Sequence, residues 1–238
     1  MLFLQEANVG LHRDRLLLGA SGRGWACALL AACVVVVGVL GVLFRHQTQP
    51  SALDKAVDSP FITALGPHHG LLFWMEVSGT LVPAIVVSVV IAAGCVIAGR
   101  LNGALLALTA VPVATGLDDA LLKHAVHRTY LGQLTFPSGH TTAVVAVTAT
   151  LAVLLLVPPQ DARTRTARIA LVAASCVIVV IVASAVMGLQ WHYFTDTVAG
   201  AAVGAGTVCA ISLVLDLAYY PAVSMIQART RASSRQAS

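Results

Sequence analysis

Apolar residues run in long stretches separated by short polar segments, and six of these stretches are predicted to be membrane-spanning helices. They cover 25–44, 71–98, 104–117, 141–157, 169–189 and 197–217. At a rise of about 1.5 Å per residue, a run near 20 residues crosses the hydrocarbon of a bilayer. The first run exceeds the roughly 7 to 15 residues of a signal-peptide core and is expected to stay in the protein. The second is long and contains Glu76 and Pro83; the third is short and must borrow Leu101 or residues 120–122 to complete a crossing. Residues 45–70, 118–140 and 190–196 connect spans on one face, and the polar stretch 229–238 is expected to be irregular.

Composition removes the competing classes. Of 238 residues, 58% are apolar and 10% charged, with a mean hydropathy of +0.87, whereas about a quarter of the residues of a soluble domain are charged. A soluble globular protein, a disordered chain and a small disulfide scaffold are all excluded. The fold class is an all-α integral membrane protein, a bundle of about six transmembrane helices. Residues 1–24 form an N-terminal segment, 25–218 the spanning domain and 219–238 a tail. Cys27, Cys33, Cys95, Cys176 and Cys209 all lie in apolar runs and read as small hydrophobes.

Charge orients the bundle. Arg13, Arg15, Arg23, Arg100, Arg163, Arg165, Arg168, Arg229, Arg231 and Arg235 fall on one side, against Arg45, Lys55, Lys123 and Arg128 on the other. The positive-inside rule then puts both termini in the cytoplasm and turns 45–70, 118–140 and 190–196 outward, in a plasma membrane. The preference for Arg over Lys in an Ala- and Val-rich chain points to a bacterial source. Basic residues in short clusters beside spans are orientation signals, and nucleic acid is not an expected partner.

Ionisable residues at membrane depth are functional suspects, and they collect in two of the outward segments. Pro137-Ser138-Gly139-His140 opens the fourth span. There Ser138 either caps the helix or joins the Gly139 amide in an anion site at the helix N-terminus. His192 and Asp196 are four residues apart, a spacing that suits a simple helix-end pair or a carboxylate that orients an attacking imidazole. Lys123 and Arg128 are either solvated loop cations or ligands for phosphoryl oxygens. His124 and His127 with Asp118 or Asp119 make a weak metal set, and no metal or other cofactor is expected. Asp119 with Lys123 reads as an i, i+4 ion pair, Glu76 as a headgroup-cleft or helix-end carboxylate, Asp216 as a snorkelling side chain, and Gly200 with Gly204 as a packing face. His68 and His69 carry no assignment.

In that order, Lys123, Arg128, Pro137 to His140, His192 and Asp196 resemble the motifs of the type 2 phosphatidic acid phosphatase superfamily, which are shared with the vanadium haloperoxidases. The family pattern is Lys, six residues and Arg-Pro; then Pro-Ser-Gly-His; then Ser-Arg, five residues, His, three residues and Asp. The likeness covers 118–200, with motif segments 118–140 and 185–196. It departs where the family's Arg-Pro falls on Tyr130 and Leu131, and its Ser-Arg on Ala185 and Val186. The resemblance implies a metal-independent membrane phosphatase or diphosphatase acting on a lipid phosphate or pyrophosphate, polyprenyl or phosphatidyl in type. In it His192 would attack phosphorus, His140 protonate the leaving oxygen and Asp196 orient His192, while Lys123, Arg128, Ser138 and Gly139 hold the phosphoryl group. A proton-coupled transporter and a catalytically weak scaffold are the alternative classes.

Overall fold

The computed structural model describes residues 16–157 and 162–236. Arg13 and Arg15, and the side chains of Arg229, Arg231 and Arg235, lie outside what it describes. Nine α-helices are described: α1 (Gly19–Leu43), α2 (Ala52–Leu65), α3 (His69–Val77), α4 (Leu81–Ile97), α5 (Leu101–Gly116), α6 (Lys123–Val126), α7 (Gly139–Leu156), α8 (Ala162–Gly188) and α9 (Phe194–Gln236). A π-helical stretch, Leu117–Leu122, joins α5 to α6, and a two-stranded hairpin pairs β1 (Thr129–Tyr130) with β2 (Gln133–Leu134). Six helical segments are long and apolar enough to cross a membrane, as the apolar runs predict. The short third run borrows from both ends, since continuous helix extends over Leu101–Val126.

Two expectations change. Segment 45–70 is largely helical: Ser51 and Asp54 form a reciprocal capping box that starts α2. The stretch expected to be irregular continues α9 as far as Gln236, in keeping with its Ala, Arg and Gln content.

Lipid is the outer solvent of the bundle, so large apolar side chains such as Val34, Val90, Ile97, Val180 and Val214 point outward, while the interior is built from small residues that let backbones approach. Helix α7 is central, packed on α5, α8 and α9, and α9 also packs on α1. The α7–α9 contact depends on glycine. A Cβ on Gly200 would lie 2.5 Å from the Ser138 carbonyl oxygen, and one on Gly204 2.6 Å from that of Thr142. The small-residue face expected in span six is therefore a helix-packing face, and it seats α9 against the first turn of α7.

At the end of the bundle opposite Ser138, Asp216 does not snorkel. It is fully buried, and its carboxylate accepts the Leu17 and Leu18 amides at 2.7 and 3.2 Å, with Arg23 Nε at 3.5 Å. The N-cap residue of α1, Leu18, offers no side-chain acceptor, and the Asp216 carboxylate of the last span instead fixes the chain by the two amides that lead into the helix.

The glycine contact gives a measurable expectation. Gly204→Val meets backbone that cannot yield and should cost about 1 to 3 kcal/mol, read as a lower thermal midpoint in detergent. Gly94→Ala, exposed on α4 with open space at its Cβ position, should leave the midpoint unchanged. Equal midpoints for both variants would mean that α9 is not held by this contact.

Candidate active site

One end of the bundle gathers the polar residues, and its geometry starts from Arg128. His127, in the left-handed region at φ 53°, ends α6, and the next residue turns inward to complete burial. The Arg128 guanidinium meets Asp54 Oδ2 and Asp196 Oδ1, both at 2.6 Å, and donates to Thr195 Oγ1 at 2.7 Å. The ring centroids of Phe44 and Tyr193 lie 4.3 and 4.4 Å from its central carbon, and such faces favour a desolvated cation. Arg128 is thus a buried brace rather than an accessible phosphate ligand: it has no exposed surface, and both terminal nitrogens are committed.

The same two carboxylates, joined by Asp58, close the N-terminus of α9. Asp54 accepts the Thr195 amide at 3.0 Å, Asp58 the Phe194 amide at 3.1 Å and Asp196 the Tyr193 amide at 3.0 Å. Asp54 and Asp58 sit one turn apart on α2, so a single helix face delivers both. The burial of Tyr193 and its neighbouring carboxylates push its phenol up to about 12, and it remains neutral.

His192 precedes α9, so the i, i+4 geometry expected with Asp196 does not apply. Asp196 turns to Arg128, and His192 Nδ1 instead lies 2.8 Å from the Thr135 carbonyl. A carbonyl only accepts, so Nδ1 carries the hydrogen and Nε2 keeps its lone pair. The β1–β2 hairpin places that carbonyl, and the Thr135 amide in turn donates to the Arg128 carbonyl at 3.0 Å. Burial, with nearby His140 and Lys123, pushes the His192 pKa down to about 3, which keeps the imidazole neutral.

The N-terminus of α7 stays open, in contrast to α9. Ser138 makes no side-chain cap bond to the helix; its hydroxyl accepts from Thr141 Oγ1 at 3.2 Å, and its amide donates to the Asp196 backbone carbonyl at 3.0 Å. The amides of Gly139, His140 and Thr141 have no intrahelical acceptor, the first one returning to the helix being Thr142. Lys123 Nζ lies 3.7 Å from where a Gly139 Cβ would stand. It is held by Asp119 at 2.6 Å, the ion pair expected from spacing, and lies 3.8 Å from buried Asp118. The His140 and His192 rings are 6.0 Å apart, and His140 Nε2 lies 2.5 Å from Glu76 Oε1. A cleft of about 670 Å³ opens beside them, lined by Lys123, Tyr130, Thr135, Trp191 and His192 among others.

Lys123, Gly139, His140 and His192 therefore come together, whereas Ser138 is fully buried at the start of α7 and Arg128 and Asp196 form the brace. At the family's arginine positions, Tyr130 lines the cleft and donates to Gln190 Oε1 at 3.2 Å, and Val186 is fully buried. His124 and His127 are exposed, and among the described residues no three His, Cys, Asp or Glu side chains gather as metal donors. A family model, the PAP2 superfamily, matches residues 22–219. The chain belongs to the PAP2 superfamily. Comparisons with curated proteins and with solved structures find no match. PAP2 members are phosphatases, so phosphatase-type hydrolysis is the general activity to which the site must answer. The residues missed from sequence are Asp54, whose signal was the Ser51–Asp54 capping box, and Thr135, which acts through its backbone and left no signal.

The brace makes Arg128 a stability residue. Removing it would leave Asp54 and Asp196 buried without their cation, at a cost of about 3 to 5 kcal/mol. Arg128→Ala should fail to give folded protein in detergent. Arg128→Lys, which loses the planar fork, should lower the thermal midpoint while the folded fraction keeps its affinity for inorganic phosphate within a few-fold. Unchanged stability with lost phosphate binding would instead assign Arg128 to the phosphate.

Proposed function

We propose that this PAP2 protein hydrolyses a phosphomonoester or pyrophosphate carried by a lipid, polyprenyl or phosphatidyl in type, through a phosphohistidine on His192 and without a metal. The observation that carries this reading is the His192 tautomer. Its Nδ1–H is fixed on the Thr135 carbonyl, which leaves Nε2 as a neutral nucleophile beside the open N-terminus of α7.

In the first step Nε2 attacks phosphorus, the bond to the leaving oxygen breaks, and His140 gives that oxygen a proton. The three unpaired amides of α7, the positive end of its dipole and the Lys123 ammonium stabilise the equatorial oxygens, which is positioning and electrostatics rather than covalent help. In the second step His140 takes a proton from water, hydroxide attacks phosphorus, and the P–N bond breaks. Asp196 serves this reaction by closing α9 and holding Arg128. The arginine distribution across the spans supports an outward-facing cleft in a bacterial plasma membrane, with substrate drawn from the outer leaflet. A transporter relay fits less well, because the clustered ionisable groups lie at one end of the bundle rather than along a path through it.

Two measurements test the reaction. Purified protein given a lipid phosphate should release phosphate in the presence of chelator, and acid-labile radiolabel from substrate should be trapped on the wild type and absent from His192→Ala. Loss of turnover in chelator with recovery on adding one metal ion would reject the histidine route. The depressed His192 pKa sets a direction as well. Nε2 stays unprotonated as pH falls, so the acid limb of kcat/KM belongs well below the ordinary imidazole value of about 6.5; a His192-dependent limb at the ordinary value would contradict the half-buried, neutral ring.

A further inference from the structure

Glu76 lies outside every motif segment and is almost fully buried. Helix α3 puts it there by a short chain of contacts. Leu72, fully buried, packs against Gly188 of α8, where a glycine Cβ would come within 3.0 Å of its Cδ1. One turn later Glu76 shares that buried face, and the chain then breaks, with the Gly79 amide bonded to the Glu76 carbonyl at 2.7 Å. The carboxylate ends 2.5 Å from His140 Nε2. A buried carboxylate is costly unless it is paired, so this is a built contact.

We propose that Glu76 is the positioning residue for His140, and that His140 moves its proton through Nδ1. The inference rests on the reading of His140 as leaving-group acid. A carboxylate accepts the Nε2 hydrogen, which leaves Nδ1 as the nitrogen free to exchange a proton. When the leaving oxygen takes the Nδ1 proton, the ring returns to the neutral tautomer with Nε2–H still on Glu76, and Nδ1 then holds the lone pair that accepts a proton from the attacking water. When both nitrogens are protonated, Glu76 supplies the counter-charge. The two imidazoles thus work through opposite atoms: His192 is anchored at Nδ1 and reacts at Nε2, whereas His140 is anchored at Nε2 and reacts at Nδ1. The other titratable groups around the first turn of α7 are His192, Lys123 and Asp118, the last two 3.7 and 3.9 Å from the Gly139 Cβ position.

The test combines leaving-group dependence with a readout that needs no turnover. Glu76→Gln keeps the shape and an acceptor but removes the charge. Its kcat on an alkyl phosphate should fall roughly 10- to 100-fold, a part of the 10²–10⁴ that general acid catalysis contributes. Its kcat on p-nitrophenyl phosphate, whose leaving group needs little acid, should fall only a few-fold, and KM should hold on both. Equal losses on the two substrates would make Glu76 merely structural and overturn the proposal. In wild-type protein labelled with ¹⁵N-histidine in micelles, the His140 resonances, assigned by their loss in His140→Ala, should show a protonated Nε2 and an unprotonated Nδ1 in the neutral ring. The reverse tautomer would overturn the proposal whether or not the variant folds. Wild-type protein that releases phosphate from neither substrate, yet shows the expected tautomer, would reject the phosphatase reading and leave the Glu76–His140 arrangement standing.

Discussion

A guanidinium with no contact to water must be neutralised where it lies, and the functional end of this bundle is organised around that demand. Arg128 sits between Asp54 and Asp196 and between the rings of Phe44 and Tyr193. None of the three charged groups tolerates burial alone: a lone carboxylate there costs several kcal/mol, and so does a lone cation. Satisfying them together draws the end of α1, the face of α2, the segment after α6 and the start of α9 to one point. The site geometry descends from it. The Arg128 carbonyl receives the Thr135 amide, the Thr135 carbonyl anchors His192, and the Asp196 carbonyl receives the Ser138 amide.

Two helix N-termini meet at this end and are treated in opposite ways. The amides at the start of α9 are consumed by three carboxylates, while those of α7 are left without intrahelical partners. Both carry the positive end of a dipole, yet only that of α9 is already answered by carboxylates. With Tyr130 and Val186 where the family has arginines, the proposed reaction would leave the open terminus of α7 and Lys123 to hold the phosphoryl group. Lys123 is itself tempered by Asp119, so the pocket offers directional amides more than net charge.

What could be read from the chain alone follows from the range of each interaction. The spans declare themselves through runs of apolar residues, and the Asp119–Lys123 pair and the Gly200–Gly204 face through helical spacing. His192 with Asp196 obeys the same spacing, but helix begins at Phe194, two residues after His192, so helical spacing does not join them. Asp54 reaches Arg128 across 74 residues, and Asp216 reaches Leu17 across 199, distances at which spacing carries no information. The Thr135 contact belongs to the backbone, where side-chain identity says nothing. Glu76 stood out as a charge in an apolar run, although only the fold could name its partner.

Asp216 also bears on how the protein is made. Spans enter the bilayer in order of synthesis, and the Leu17 and Leu18 amides that lead into α1, the first, cannot meet their carboxylate until the last has arrived. The brace at the other end waits for the same helix, because Asp196 lies in its first turn. Both ends of the bundle therefore wait on residues of one helix, the last to be made. A nascent chain halted before α9 would hold Lys123, His140 and His192 without the carboxylate that completes the brace, so this end of the bundle takes its geometry only once the last span is made.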